Sequence, residues 1–80
     1  MRMLLVEDDP AVSQSVTLML RSDTCEVQAA SLGHEGIELA CLNGYDIILL
    51  DLDLPDLSGY EALRALRAAG IDTPVRFSPA

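Results

Sequence analysis

The sequence predicts an α/β protein built on an open parallel sheet. Short apolar runs alternate with amphipathic helical ones in the order β-α-β-α-β-α-β, with no long gap and no internal repeat. Such alternation implies parallel strands joined by right-handed crossovers. Two of the runs, Met3-Leu4-Leu5-Val6 and Ile47-Ile48-Leu49-Leu50, are apolar at every position, as strands buried on both faces are. Both then stop at carboxylates, Glu7-Asp8-Asp9 in the first case and Asp51 in the second.

Residues 2–6 form the first strand. Asp9-Pro10 opens a helix, with Asp9 as N-cap and Pro10 at the first helical position, where a missing N–H costs nothing. Val12, Val16, Met19 and Leu20 recur at helical spacing and are expected to form its buried face, with Ser13, Gln14 and Ser15 outward. The helix ends near residues 21–23. Residues 25–29 read as a short second strand, whose Glu26 and Gln28 suit a sheet edge. Ser31-Leu32-Gly33 forms a turn. Residues 34–42 form a second helix, with Ile37, Ala40 and Cys41 inward and Glu35 and Glu38 outward. Asn43-Gly44 closes it, since both residues tolerate a left-handed cap. The third strand, residues 47–50, runs into a loop shaped by Pro55 and Gly59. Ser58-Gly59-Tyr60-Glu61 has the spacing of a capping box and starts a third helix reaching about residue 69. That helix buries Leu63 and Leu66, exposes Arg64 and Arg67, and ends at Gly70. Thr73-Pro74 leads into a fourth strand, residues 75–77.

A chain of 80 residues makes one small domain, marginal unless well packed. A hydrophobic content of 50% excludes a disordered chain. The net charge of −8 argues against direct nucleic-acid binding. No apolar run approaches the length of a membrane span and no signal-peptide pattern opens the chain, so a cytoplasmic location away from the membrane is expected. Cys25 and Cys41 fall in different elements without metal-ligand spacing and are expected to be buried, reduced thiols.

In open α/β sheets, chemistry sits at the carboxyl ends of the strands. Placing the first and third strands side by side converges four or five acidic groups on one sheet edge, which is costly without a cation. Carboxylate oxygens suit a hard divalent ion such as Mg²⁺, and an acidic pocket with one free carboxylate is suited to receive a phosphoryl group. Leu4-Leu5-Val6-Glu7-Asp8-Asp9, then Leu49-Leu50-Asp51-Leu52-Asp53-Leu54-Pro55, with Gly59 beyond, resembles the receiver domain of two-component response regulators. Met1-Arg2 before Leu4-Leu5, Leu18-Met19-Leu20, Leu32-Gly33 before Glu35-Gly36, and Ile71-Asp72-Thr73-Pro74 resemble the alphaproteobacterial cell-cycle regulators within that family.

The resemblance implies a flavodoxin-like, CheY-like fold with sheet order 2-1-3-4. It implies that Asp51 is the phosphoacceptor, loaded by a histidine kinase or histidine phosphotransferase. Mg²⁺ would be held by Asp8 directly, by Glu7 through water, by Asp51, and by the backbone carbonyl of Asp53. The module would not be an enzyme in its own right, and its phosphorylation would control a transcriptional output. Among the remaining polar residues, Asp9 is expected to be a helix cap, Asp56 loop surface, and His34 a surface residue at the opposite end of the sheet from Asp51. Tyr60 is expected to pack. Two other functions remain in view: an interaction or dimerisation module without phosphorylation, and a phosphatase of the haloacid-dehalogenase type, which also places Asp-x-Asp after an apolar strand.

The chain departs from the family's pattern near its end. A full receiver repeats the strand–helix unit five times, whereas three units and the start of a fourth are present. The family's fourth strand usually ends in Ser or Thr and its fifth in Lys, but the sequence has no Lys, and Ser78 sits one position early. Arg76 also stands inside a strand expected to be buried. A C-terminal winged-helix DNA-binding domain is expected to be absent. A shifted reading frame near residue 75 would convert the tail to the family's usual ending, and an engineered truncation is the alternative. An unpaired fourth strand and uncovered apolar sheet lead us to expect a homodimer or other self-associated state.

Overall fold

The computed structural model describes residues 1–78; Pro79 and Ala80, part of the unusual tail, lie outside the described residues. The chain order is β1 (Arg2–Val6), α1 (Pro10–Leu20), β2 (Glu26–Ala30), α2 (Gly33–Leu42), β3 (Ile47–Leu50), α3 (Gly59–Ala68) and β4 (Val75–Phe77). The strands form one sheet in the order β2-β1-β3-β4, with every pair parallel, as the resemblance implied. Met3 to Val6 stand opposite Ile47 to Leu50 in β3. This register brings the ends of the two strands level, so Glu7 and Asp51 leave the sheet side by side.

Strand alternation divides the apolar residues between the two faces. Leu4, Val6, Ile48 and Leu50 form a core with Ala40 of α2 and Ala62 and Leu66 of α3. Met3 and Leu5 point the other way and are also buried, on the face where α1 packs. Their register partners there, Ile47 and Leu49, are only half-buried, because α1 lies over β1 and β2. Arg76 pairs with Leu49 on that same face and is exposed. An arginine is tolerated in β4 because, among the described residues, no helix covers it.

Several packing expectations change. No residue of α1 is fully buried: Val12, Val16 and Leu20 are half-buried, while Met19 is 79% and Leu18 63% exposed. A single helix on that face meets the sheet along one line only, and the flanks of its apolar stripe stay in water. Cys41 is exposed and Cys25 half-buried, contrary to the expected buried thiols. The inward stripe of α2 runs through Gly33, Gly36 and Ala40, and Cys41 falls outside it. β2 is displaced by one residue from the expected 25–29, and α2 begins at Gly33 rather than His34. Asn43 closes α2 in an extended conformation (φ −131°), with its backbone N–H and its side-chain Nδ2 donating to the Leu39 carbonyl at 2.9 and 3.1 Å. The left-handed residue is instead Gly70 (φ 82°), which ends the C-terminal side of α3.

The caps follow the expected chemistry. Asp9 Oδ1 accepts from the N–H groups of Ala11 (2.9 Å) and Val12 (3.4 Å). Ser58 Oγ accepts from Glu61 N–H, and Glu61 Oε1 accepts from Ser58 N–H, each at 3.1 Å, completing the capping box. The Ser58 backbone N–H and hydroxyl together hold the Glu61 carboxyl below its ordinary value. A carboxylate with a lowered folded pKa stabilises the fold above its unfolded pKa and loses that contribution as pH falls through the folded one. Ser58→Ala is expected to cost about 1 kcal/mol in urea melts. A penalty for Glu61→Gln at neutral pH is expected to vanish in acid.

Candidate functional site

All three crossovers return the chain from a strand's carboxyl end into a helix, so the loops after β1, β2 and β3 gather at one end of the sheet. The backbone fixes the two acidic strand ends firmly. Glu7 N–H donates to the Ala30 carbonyl and Asp51 N–H to the Val6 carbonyl, each at 3.0 Å. Glu7, Asp8 and Asp51 each offer a carboxylate oxygen, and the three lie within 4.8 Å of one another. Glu7 is 3% and Asp51 8% exposed, although both are charged residue types, while Asp8 is exposed.

Glu7 shows what this clustering costs. Its Oε2 accepts from Asp9 N–H at 3.2 Å, but its buried Oε1 has no hydrogen-bond partner. Burial pushes the Glu7 carboxyl above its ordinary value, and the neighbouring Asp51 and Asp8 add to the rise; only the Asp9 N–H opposes it. This oxygen, with the carboxylate oxygens of Asp8 and Asp51 close by, makes a set of three Lewis-basic oxygen donors. The all-oxygen composition fits a hard divalent cation.

The loop after Asp51 is folded back on itself. Asp53 N–H donates to Asp51 Oδ1 at 3.4 Å, Asp53 bridges Ser58, Leu54 N–H donates to the Leu57 carbonyl at 3.2 Å, and Gly59 N–H to the Leu52 carbonyl at 2.7 Å. Leu54 is buried within this turn. The Asp53 side chain is exposed and stands outside the three-carboxylate cluster. Gly59 is the close-approach residue: a Cβ there would lie 2.6 Å from the Asp51 carbonyl oxygen and 3.1 Å from the Phe77 ring. Tyr60 packs against Phe77 with ring centroids 5.1 Å apart and the rings tilted by 53°, although it is 60% exposed. Ser78 N–H donates to the Leu50 carbonyl at 2.9 Å, which carries the chain one residue past β4, into the row beside Asp51.

Two expectations about this edge are corrected. His34 sits at the same end of the sheet as Asp51, because α2 starts where β2 ends. Asp56 is not loop surface: half-buried, its Oδ1 accepts from Gly33 N–H at 2.8 Å and its Oδ2 from His34 N–H at 2.9 Å. His34 Nε2 stands 3.9 Å from the same oxygen. Hydrogen bonding by the backbone N–H groups, that of His34 first, holds the Asp56 carboxyl below its ordinary value against the opposing effect of burial. The signal available in the sequence was indirect. Leu32 at the N-cap of α2 has no side chain able to cap it, so the first N–H groups of that helix needed acceptors from elsewhere.

A cleft of about 760 Å³ lies at the opposite end of the sheet, between the end of α1 and the start of β2. It contains none of the acidic cluster. No helix among the described residues is long and apolar enough to cross a membrane.

Comparison with known proteins agrees with this geometry. The family model described as the response regulator receiver domain matches residues 3–78. The cell cycle response regulator CtrA of Brucella ovis is 57% identical over 75 residues, covering 94% of this chain and 32% of that relative. The chain thus spans about a third of the length of the curated relatives it matches. Among solved structures, the receiver domain of the Pseudomonas aeruginosa sensor histidine kinase PA1611, with a magnesium ion coordinated in its active-site cleft, superposes with a TM-score of 0.87 at 37% identity. That match covers 95% of this chain and 64% of the other. The receiver domain of the Francisella response regulator 1452 superposes with a TM-score of 0.89 at 30% identity, covering 95% and 63%. The chain belongs to the response regulator receiver domain family.

Proposed function

We propose that this chain is the phosphoacceptor of a two-component phosphorelay, with Asp51 taking a phosphoryl group from the phosphohistidine of a histidine kinase or histidine phosphotransferase. The observation that carries the reading is the burial of the Asp51 carboxylate at the end of β3, within 4.8 Å of the carboxylate oxygens of Glu7 and Asp8. An Asp51 oxygen attacks phosphorus, the P–N bond of the donor breaks, and the imidazole nitrogen leaves with the electron pair. The product is an acyl phosphate on Asp51.

Glu7, Asp8, Asp51 and the backbone carbonyl of Asp53 would hold Mg²⁺. Bound there, the ion would supply positive charge against the acidic side chains and the incoming phosphoryl oxygens. The orphaned Glu7 Oε1 supports this assignment. We place the module in the cytoplasm, with control of transcription as its output and no catalytic turnover of its own. Its charge of −8 supports a module that does not itself bind nucleic acid.

A second reading, an interaction or dimerisation module, is favoured by the half-buried Ile47 and Leu49 on the sheet and by the exposed Leu18 and Met19 of α1. On either reading a homodimer is expected, and sedimentation velocity checks it. The exposed Asp53, outside the acidic cluster, weighs against a haloacid-dehalogenase-type phosphatase, which needs its second Asp as acid/base. Backbone NMR with Mg²⁺ and beryllofluoride tests the phosphoacceptor reading. Saturable shifts at Asp8, Asp51 and Asp53 support it, and a dispersed spectrum that ignores both ligands leaves the interaction module.

A further inference from the structure

Resting on the phosphoacceptor reading, we propose that Asp56 is a positioning residue for Asp51: from the loop after β3 it caps α2, and so anchors the loop that carries the Asp51 and Asp53 side of the acidic site. The two oxygens of Asp56 take up the N–H groups of Gly33 and His34, at 2.8 and 2.9 Å. No α2 side chain competes for that role, since Leu32 supplies no cap and Glu35 Oε1 is engaged by Ser31 N–H at 2.9 Å. The contact is reinforced by packing. A Cβ on Gly33 would lie 2.9 Å from Leu57 Cδ1, so Leu57 rests directly on the first turn of α2.

The anchor lies on a short stretch of chain from the reacting group. Asp56 is five residues beyond Asp51, and the Asp53–Ser58 bridge and the Leu54–Leu57 hydrogen bond make the intervening turn one unit. That unit has two fixed points. At its base, Gly59 is packed against the Asp51 carbonyl; at its tip, Asp56 and Leu57 are docked on α2. Without the tip, the turn is held at the base alone, and the Asp53 carbonyl and the Asp51 side chain lose a fixed orientation. Losing a hydrogen-bonding partner that orients a metal-ligating group commonly costs about 10- to 100-fold in metal affinity or activity.

The test compares the full chain with Asp56→Ala, Asp56→Asn and, as a matched control, Asn43→Ala, which weakens the far end of the same helix. The readouts are the initial rate of Mg²⁺-dependent labelling by acetyl phosphate and the Mg²⁺ dissociation constant from amide shifts, taken where every variant is folded. Asp56→Ala is expected to slow labelling and weaken Mg²⁺ binding by about tenfold, with Asp56→Asn intermediate because its amide oxygen keeps one of the two acceptors. Asn43→Ala is expected to match the parent chain. Labelling of Asp56→Ala at the parent rate overturns the positioning role while leaving Asp51 as acceptor, as does an equal loss in Asn43→Ala. If Asp56→Ala does not fold, Asp56→Asn against Asn43→Ala decides by the same criteria. A parent chain that folds but never labels overturns the phosphoacceptor reading and this role with it.

Discussion

Gly59→Ala is expected to lower the stability of this chain by about 2–3 kcal/mol, the cost of forcing extra volume into a closely packed site. The added Cβ would lie 2.6 Å from the Asp51 carbonyl oxygen and 3.0 Å from Leu52 Cα. Both are backbone atoms, so no rotamer change relieves the clash, and either α3 or the end of β3 has to move. For a domain of 80 residues, with a total stability on the order of 4–12 kcal/mol, that is a large fraction. The other glycines set the scale in urea melts. At Gly36 a Cβ would meet Val6 Cγ2 at 2.6 Å and Cγ1 at 3.2 Å, in a stiff β-branched side chain buried in the core, so Gly36→Ala is expected to be destabilising as well. At Gly44 nothing lies within 4 Å, and Gly44→Ala is expected to be neutral or slightly stabilising through the unfolded state. A Gly59→Ala protein as stable as the parent would mean that the close contact at Asp51 is not a constraint.

Glu7→Gln is expected to have opposite effects with and without a divalent cation. In EDTA it should raise stability, because it removes a charge that burial and the neighbouring Asp51 and Asp8 disfavour. The amide is close to isosteric. Its oxygen can keep the bond from Asp9 N–H, and its NH₂ offers donors toward Asp51 and Asp8 where the parent has the orphaned Oε1. In Mg²⁺ the parent should gain stability with rising concentration by mass action, and the variant should gain little. Thermal melts in EDTA and across a Mg²⁺ series check both halves. A variant less stable than the parent in EDTA, or one with an equal Mg²⁺ response, would contradict the account of the site.

Why some of this was legible in the sequence, and some was not, follows from which interactions are local. The strands at 2–6 and 47–50 were readable because a doubly covered strand is apolar at every position. Their ends at Glu7 and Asp51 then located the acidic edge. The capping box at Ser58 and Glu61 and the cap at Asp9 are contacts within three residues, which spacing alone specifies. Met19 and Cys41 were misplaced because helical periodicity gives a stripe but not its width. α1 meets only part of the sheet, and the inward line of α2 runs through glycines that carry no hydrophobic signal. Asp56 was missed because its partners, Gly33 and His34, are more than twenty residues away in sequence and come near only once β2 and β3 are set in order. The same error of placement put His34 at the wrong end of the sheet.

The central claim is that Asp51 accepts a phosphoryl group, and covalent labelling tests it most directly. The full chain and Asp51→Asn are incubated with Mg²⁺ and acetyl phosphate, followed by intact-mass and peptide-level mass spectrometry. One added phosphoryl group is expected, on Asp51, labile to hydroxylamine, dependent on Mg²⁺ and absent from Asp51→Asn. A folded chain that gains no phosphoryl group, or one whose label persists in Asp51→Asn, would contradict it.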